Sequence, residues 1–280
     1  MKKIISIILT TVLSTSLFGL DIFSYVPVVG NVKNYTQVDY NITSKFGSYY
    51  RTPVGKTIHT LNVSGKEIET TELSAKDAVI GKTVATYDIY GNLTGETSYS
   101  SDDIVLWNTV IKYDQNKRPV DLSEFGKNKQ LKDKIIYTYN DQGLKSEETG
   151  YDSEGALIWK VVYKYTDDKK LEVMTEYDED GIFCSQNKYT YKPNGKVESI
   201  VIKDAFTNTE QILVFRYASN DQLTEVTTFG DLSKTNIIKR VLIKYDTLGN
   251  VAKISEYNVA PKFGTIVNEL VSVTEYTYTY

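Results

Sequence analysis

Apolar and polar positions alternate with a period of two along most of this chain. From Leu157 one side of the alternation reads Leu157, Trp159, Val161, Tyr163, Tyr165, and the matching slots further on hold Phe183, Ser185, Asn187, Tyr189 and Tyr191. Leu171, Val173, Thr175 and Tyr177 are read in the same parity, so one sheet face is expected to be a field of aligned aromatic and aliphatic side chains. The other face is mixed: an apolar row (Val84, Val110, Ile136, Val162, Val214, Leu242) runs beside a Thr/Lys/Arg row (Thr86, Lys112, Thr138, Lys164, Thr190, Arg216, Lys244). Segments of this kind, rich in Val, Ile, Thr and Tyr, are strands. They are separated by turns such as Asp88-Ile-Tyr-Gly91, Asn140-Asp-Gln-Gly143 and Asp246-Thr-Leu-Gly249. There the Asp or Asn side chain holds the turn backbone and Gly supplies a positive φ. Short connections make consecutive strands antiparallel.

The strands come in pairs with a fixed period. A leading tyrosine recurs every 26 residues at Tyr87, Tyr113, Tyr139, Tyr165, Tyr191 and Tyr217, and once more after 28 at Tyr245. Gly55 to Leu61 aligns with Gly81 to Tyr87, and one further step back puts Tyr35 in the leading slot. Terminal repeats of such arrays are commonly degenerate. Some eighteen strands laid flat would extend roughly 85 Å, so the sheet must twist, coil or close on itself. The expectation is an all-β protein: a long antiparallel β-meander of 26-residue two-strand repeats forming one twisted or coiled sheet. Residues 35–280 form a single repeat domain, preceded by a lead-in or cap at 20–34 and a signal peptide at 1–19.

The N-terminus supports export. Met1-Lys2-Lys3, the apolar run Ile4 to Leu13 and a small-residue stretch ending near Gly19 have the layout of a secretory signal. Cys184 is the single cysteine, so no intramolecular disulfide can form. The net charge is −4 and no basic run exists, which argues against nucleic acid and against attraction to anionic lipid heads.

Catalytic chemistry is hard to place. His59 is the single histidine and falls in a strand slot, where it reads as a packed or rim residue. Cys184 reads as a small strand residue, and no phosphate loop, metal-spaced cluster or nucleophile elbow occurs. The acidic turns Asp178 to Gly181 and Asp167-Asp168 could offer oxygen ligands to calcium, but their spacing matches no calcium loop and aspartate builds turns anyway. No catalytic residue, metal site or cofactor is expected. Binding candidates are Trp107, Trp159, Tyr137, Tyr163 and Tyr189, because an exposed aromatic face can stack on sugars or dock a protein. The competing reading is that these residues are the buried core of a closed or packed sheet. The aromatic terminal strand Val271 to Tyr280 also raises an outer-membrane barrel, although the strands are short and charged for spanning, so membrane insertion is not expected.

The Tyr-Asp-x-x-Gly-x-Leu pattern at Tyr87 to Leu93, with its variant at Tyr245 to Val251, resembles the YD repeats of the RHS and teneurin families. It is also similar to the hairpin repeats of MORN-like bacterial proteins. The resemblance implies a spiralling β-sheet and a role in secretion, cell-surface interaction or toxin packaging. The functional expectation is an exported, non-catalytic binding or adhesion module that recognises a protein or glycan at the bacterial envelope. The alternatives are an outer-membrane β-barrel and an RHS-like toxin-associated scaffold or immunity protein.

Overall fold

The computed structural model describes residues 26–262 and 264–280; the expected signal peptide lies outside the described residues. Eighteen strands follow one another in a meander. They are β1 (Asn34–Lys45), β2 (Ser48–Leu61), β3 (Glu67–Ser74), β4 (Val79–Tyr87), β5 (Leu93–Ser100) and β6 (Val105–Tyr113). Next come β7 (Pro119–Gly126), β8 (Leu131–Tyr139), β9 (Lys145–Asp152), β10 (Leu157–Tyr165), β11 (Leu171–Asp178) and β12 (Phe183–Tyr191). The last six are β13 (Val197–Asp204), β14 (Thr209–Tyr217), β15 (Leu223–Phe229), β16 (Ile237–Tyr245), β17 (Val251–Lys262) and β18 (Thr265–Thr279).

The expected open, twisted or coiled sheet is corrected by the pairing of its ends. β1 runs antiparallel to β18 from Asn34 opposite Thr279 to Asn41 opposite Ser272, while also pairing with β2. The sheet therefore closes into an 18-stranded barrel. Closure removes the two terminal edges that an open sheet would leave unpaired. Tyr35, in the degenerate first repeat, lies opposite Tyr278 in the last.

The turns form as their residues dictate. In the β8–β9 turn Asn140 Oδ1 accepts from the backbone N–H of Gln142 (3.1 Å) and Leu144 (2.9 Å), and Gly143 takes φ +77°. Asp88, Asp114, Asp152, Asp178 and Asp246 act in the same way. The carboxylate of Asp178, one of the calcium candidates, is thus engaged by its own turn.

Each leading tyrosine from Tyr87 to Tyr245 faces a register shift. Opposite Tyr139, for example, the pairing slips so that Thr138 meets Glu147 and Tyr139 meets Lys145. A shift of this kind inserts one extra residue and turns its side chain across the sheet. This corrects the parity read from sequence. Val173 pairs with Lys164 and Thr175 with Val162, which puts them on the Thr/Lys/Arg side, away from Tyr163.

Burial distinguishes the two faces of the wall. Leu213, Val241, Leu122, Ile200 and Phe215 are at most 3% exposed, whereas Lys112, Lys164, Arg216 and Lys244 are exposed. The Leu/Tyr/Phe face therefore lines the inside of the barrel and the Thr/Lys/Arg face the outside. Inside, one apolar cluster follows β13 to β18 and β1, and a second follows β6 to β10. The lead-in joins the first cluster through Val26 and Val32. It is clasped by Asn250, whose side chain accepts from Val29 N (2.6 Å) and donates to Val29 O (2.9 Å).

Candidate functional site: the barrel interior

The inner wall at β8–β11 gathers three of the five aromatic candidates. Tyr137, Trp159 and Val161 are buried in one cluster with Ile111, Leu122 and Ile135, and Tyr163 and Met174 pack against it. Trp159 lies across Gly150, its partner on β9, so closely that a Cβ there would sit 2.4 Å from the indole. Gly150 is what lets the indole lie flat against the wall. Tyr189 belongs instead to the surroundings of the other cluster, and Trp107, half-buried opposite Ser98 and Gly126, belongs to neither.

Two charged side chains that the sequence reading missed enter this apolar patch. Glu148 faces inward between Tyr137 and Val161. Lys145 pairs with it and stands over the ring of Tyr163, at 4.6 Å from the centroid, and more loosely over Tyr137, at 5.8 Å. Such cation–ring contacts favour an ammonium held against the rings. Simple alternation from Glu147 would turn Lys145 outward; the register shift turns it inward. The Tyr137 hydroxyl is buried without a hydrogen-bond partner. Burial, reinforced by the Glu148 charge, pushes the hydroxyls of Tyr137 and Tyr163 well above the usual phenol range.

A second polar group lies on β2, β3 and β5. His59 is fully buried, stacks on Tyr35 at 4.3 Å, and sets its Nδ1 2.7 Å from Glu67 Oε2. Thr70 donates to the other oxygen of Glu67 at 2.7 Å. Glu96 faces inward nearby with Oε1 buried and unpaired, and burial, then the Glu67 charge, raises its carboxyl to about 7. Among the described residues no three His, Cys, Asp or Glu side chains are placed to hold a metal ion. Cys184 is half-buried at a register shift between β11 and β12, its thiol pushed up by burial.

The outer wall is ionic. Asp121 meets Lys134 at 3.0 Å and Lys112 at 3.5 Å, Glu147 meets Lys160 at 2.6 Å, Glu225 meets Arg216 at 2.8 Å, and Glu275 meets Arg51 at 2.7 Å. On β10 the outward Lys160 and Lys164 are four residues apart, which along a tilted strand leaves an apolar band of only about 10 Å between charges. A bilayer-spanning wall presents about 25 Å of apolar surface.

No protein-family model matches the sequence. No curated relative matches it either. Among solved structures the chain is similar to a porin-like protein from Bacteroides uniformis, at 14% identity and TM-score 0.50, over 89% of this chain and 98% of that one. It also matches, at 14% identity and TM-score 0.33, part of a TcdB2-TccC3 structure, over 78% of this chain and 16% of that one. The first likeness concerns fold alone: what this chain shares with the porin-like protein is a closed antiparallel β-barrel.

Proposed function

We propose that the chain is a non-catalytic binding barrel of the bacterial envelope, with its outer wall in water and its aromatic interior holding an apolar or amphipathic guest. The observation that carries this reading is where charge and buried apolar bulk sit on the wall: lysines and arginines interrupt the outer face at short spacing, and the most deeply buried apolar side chains face inward. Porin-type barrels are apolar outside and polar within; here Trp159, Leu213 and Phe215 line the inside while Lys112, Lys164 and Arg216 line the outside. Pockets for small apolar ligands are lined by such side chains with a few placed polar groups, a part that falls to Glu148, Lys145 and Tyr137. The candidates Tyr137, Trp159 and Tyr163 face inward, whereas a second aromatic series, Tyr99, Phe125, Tyr151, Tyr177 and Tyr257, pairs with Lys82, Asn108, Lys134, Lys160 and Arg240 on the outer face.

A second reading, an outer-membrane barrel, is favoured by the topology. An even number of antiparallel strands, each bonded to its chain neighbours and closed first to last, is the layout of bacterial outer-membrane barrels, and the likeness to the porin-like protein supports it.

Fractionation of the native cell with a carbonate wash separates the two. The binding barrel is released soluble and quenches its tryptophan fluorescence on titration with a fatty-acyl probe, with Trp159→Phe removing most of the signal. Retention in the outer membrane, with folding only in detergent, would favour the second reading.

A further inference from the structure

Two hairpins overreach the barrel, and they stand side by side. β2 continues from Gly55, where its pairing with β3 ends, up to Ser48. That is seven residues, or roughly 20 Å of strand, beyond its neighbour on that side. Next to it, β17 and β18 run past the last β1–β18 pair, Asn41 with Ser272, to Lys262 opposite Thr265. The sequence repeats itself at the two ends: Lys45-Phe46-Gly47-Ser48 and Lys262-Phe263-Gly264-Thr265.

The tip of the first hairpin is built against local preference. Phe46 has φ +51° and Gly47 φ +77°, a turn whose first position favours Asn, Asp or Gly. Phenylalanine in the left-handed region is strained. Phe46 is also fully exposed, so packing within the chain does not compensate. Tyr49, Tyr50 and Val54 are each about half exposed on the same hairpin, and Ile266 on its neighbour is 71% exposed. From Asn41 to Gly55 there is no acidic residue, while Lys45 and Arg51 are cationic, in a chain whose net charge is −4. Arg51 is partly engaged by Glu275, which leaves the exposed Lys45 as the cation that the tip offers to solvent.

We infer that this hairpin is a membrane-surface anchor: Phe46, Tyr49 and Tyr50 enter the interfacial layer of a bilayer while Lys45 meets lipid phosphate. Aromatic rings with one apolar and one wet end settle at that depth, and long basic side chains reach the head groups from their apolar stems. The hairpin itself carries no acid, and with Arg51 held by Glu275 its tip offers the uncompensated charge of Lys45 to an anionic surface that the rest of the chain would repel. The anchor goes beyond the binding-barrel reading and rests on it only for an outer wall in water. It would set the barrel on a lipid surface, from which an apolar guest could be drawn.

The test is co-sedimentation of the mature full chain with phosphatidylcholine vesicles, with and without phosphatidylglycerol. The wild type is expected to bind the anionic vesicles, to release in high salt or carbonate, and to lose binding at least tenfold in Phe46→Asn. Asparagine suits the turn, so this variant keeps the fold; Tyr49→Ser with Tyr50→Ser provides a second reduction. Failure of the wild type to bind, or equal binding by Phe46→Asn, overturns the anchor and leaves the binding barrel standing. Self-association that Phe46→Asn abolishes, without vesicle binding, overturns it in favour of a protein contact. Carbonate-resistant insertion would sink the outer wall in water, and the anchor with it.

Discussion

The hydroxyl of Tyr139 donates to the carbonyl of Pro119, 2.6 Å away on the neighbouring strand. The ladder between β7 and β8 stops at Asp121 opposite Ile136, so Pro119 lies beyond the last pair on that side and takes no donor from the β8 ladder. The tyrosine supplies one. The same bond recurs from Tyr87 to Glu67, Tyr113 to Leu93, Tyr165 to Lys145, Tyr191 to Leu171, Tyr217 to Val197 and Tyr245 to Leu223. Tyr278 closes the ring onto Val251 at 2.9 Å. The 26-residue period is the spacing of these stitches. Tyr139→Phe keeps the ring in place and leaves the carbonyl bare, so we expect a loss of about 1 kcal/mol. Urea denaturation measures it, and a midpoint equal to wild type would mean water replaces the hydroxyl at no cost.

Gly150 is required by Trp159 and by nothing in its backbone. Adding a methyl at Gly150 drives it into the indole, and overpacking of this kind costs about 1–3 kcal/mol. Gly150→Ala should therefore destabilise the barrel and shift its tryptophan emission. Combining it with Trp159→Phe should recover part of the loss, since the smaller ring leaves room. A double variant no more stable than Gly150→Ala alone would place the clash elsewhere.

Strands, turns and their number could be read from period and composition, because each depends on residues close in sequence. Closure could not, since it depends on Tyr35 meeting Tyr278 across the whole chain, in repeats whose pattern has decayed. Nor did alternation identify the inside. Both faces carry an apolar row, and Val110 on the outside looks much like Ile111 on the inside until burial separates them. The aromatic slots of Tyr137, Trp159 and Tyr163 were visible. The inward turn of Lys145 and Glu67 was not, because the register shifts beside Tyr139 and Leu61 break the period of two at those positions.

Phe46 tests whether the hairpin tip is strained. Its left-handed φ costs on the order of 1 kcal/mol or more in a bulky residue, and asparagine adopts that region readily. Phe46→Asn should raise the melting temperature slightly while it lowers vesicle binding. A variant less stable than wild type would mean that the exposed ring makes contacts within the chain that outweigh the turn.

Glu96 makes the barrel sensitive to pH. Its buried carboxyl, near Glu67 and with Oε1 unpaired, has a pKa of about 7 against 4.5 for a free glutamate. The folded state therefore holds this proton more tightly than the unfolded chain does. The contribution to stability is fully present below about pH 4.5, and it is lost as pH rises through 7, because the unfolded chain releases its proton first. Allowing for partial exposure of the carboxyl, the loss is about 2 kcal/mol at most. Urea midpoints at pH 5 and pH 8 should differ in the wild type, and the gap should shrink in Glu96→Gln, which is neutral at both. The variant should also be the more stable of the two at pH 8, where the wild type must bury a charge beside Glu67. An unchanged gap would assign the pH dependence to other groups.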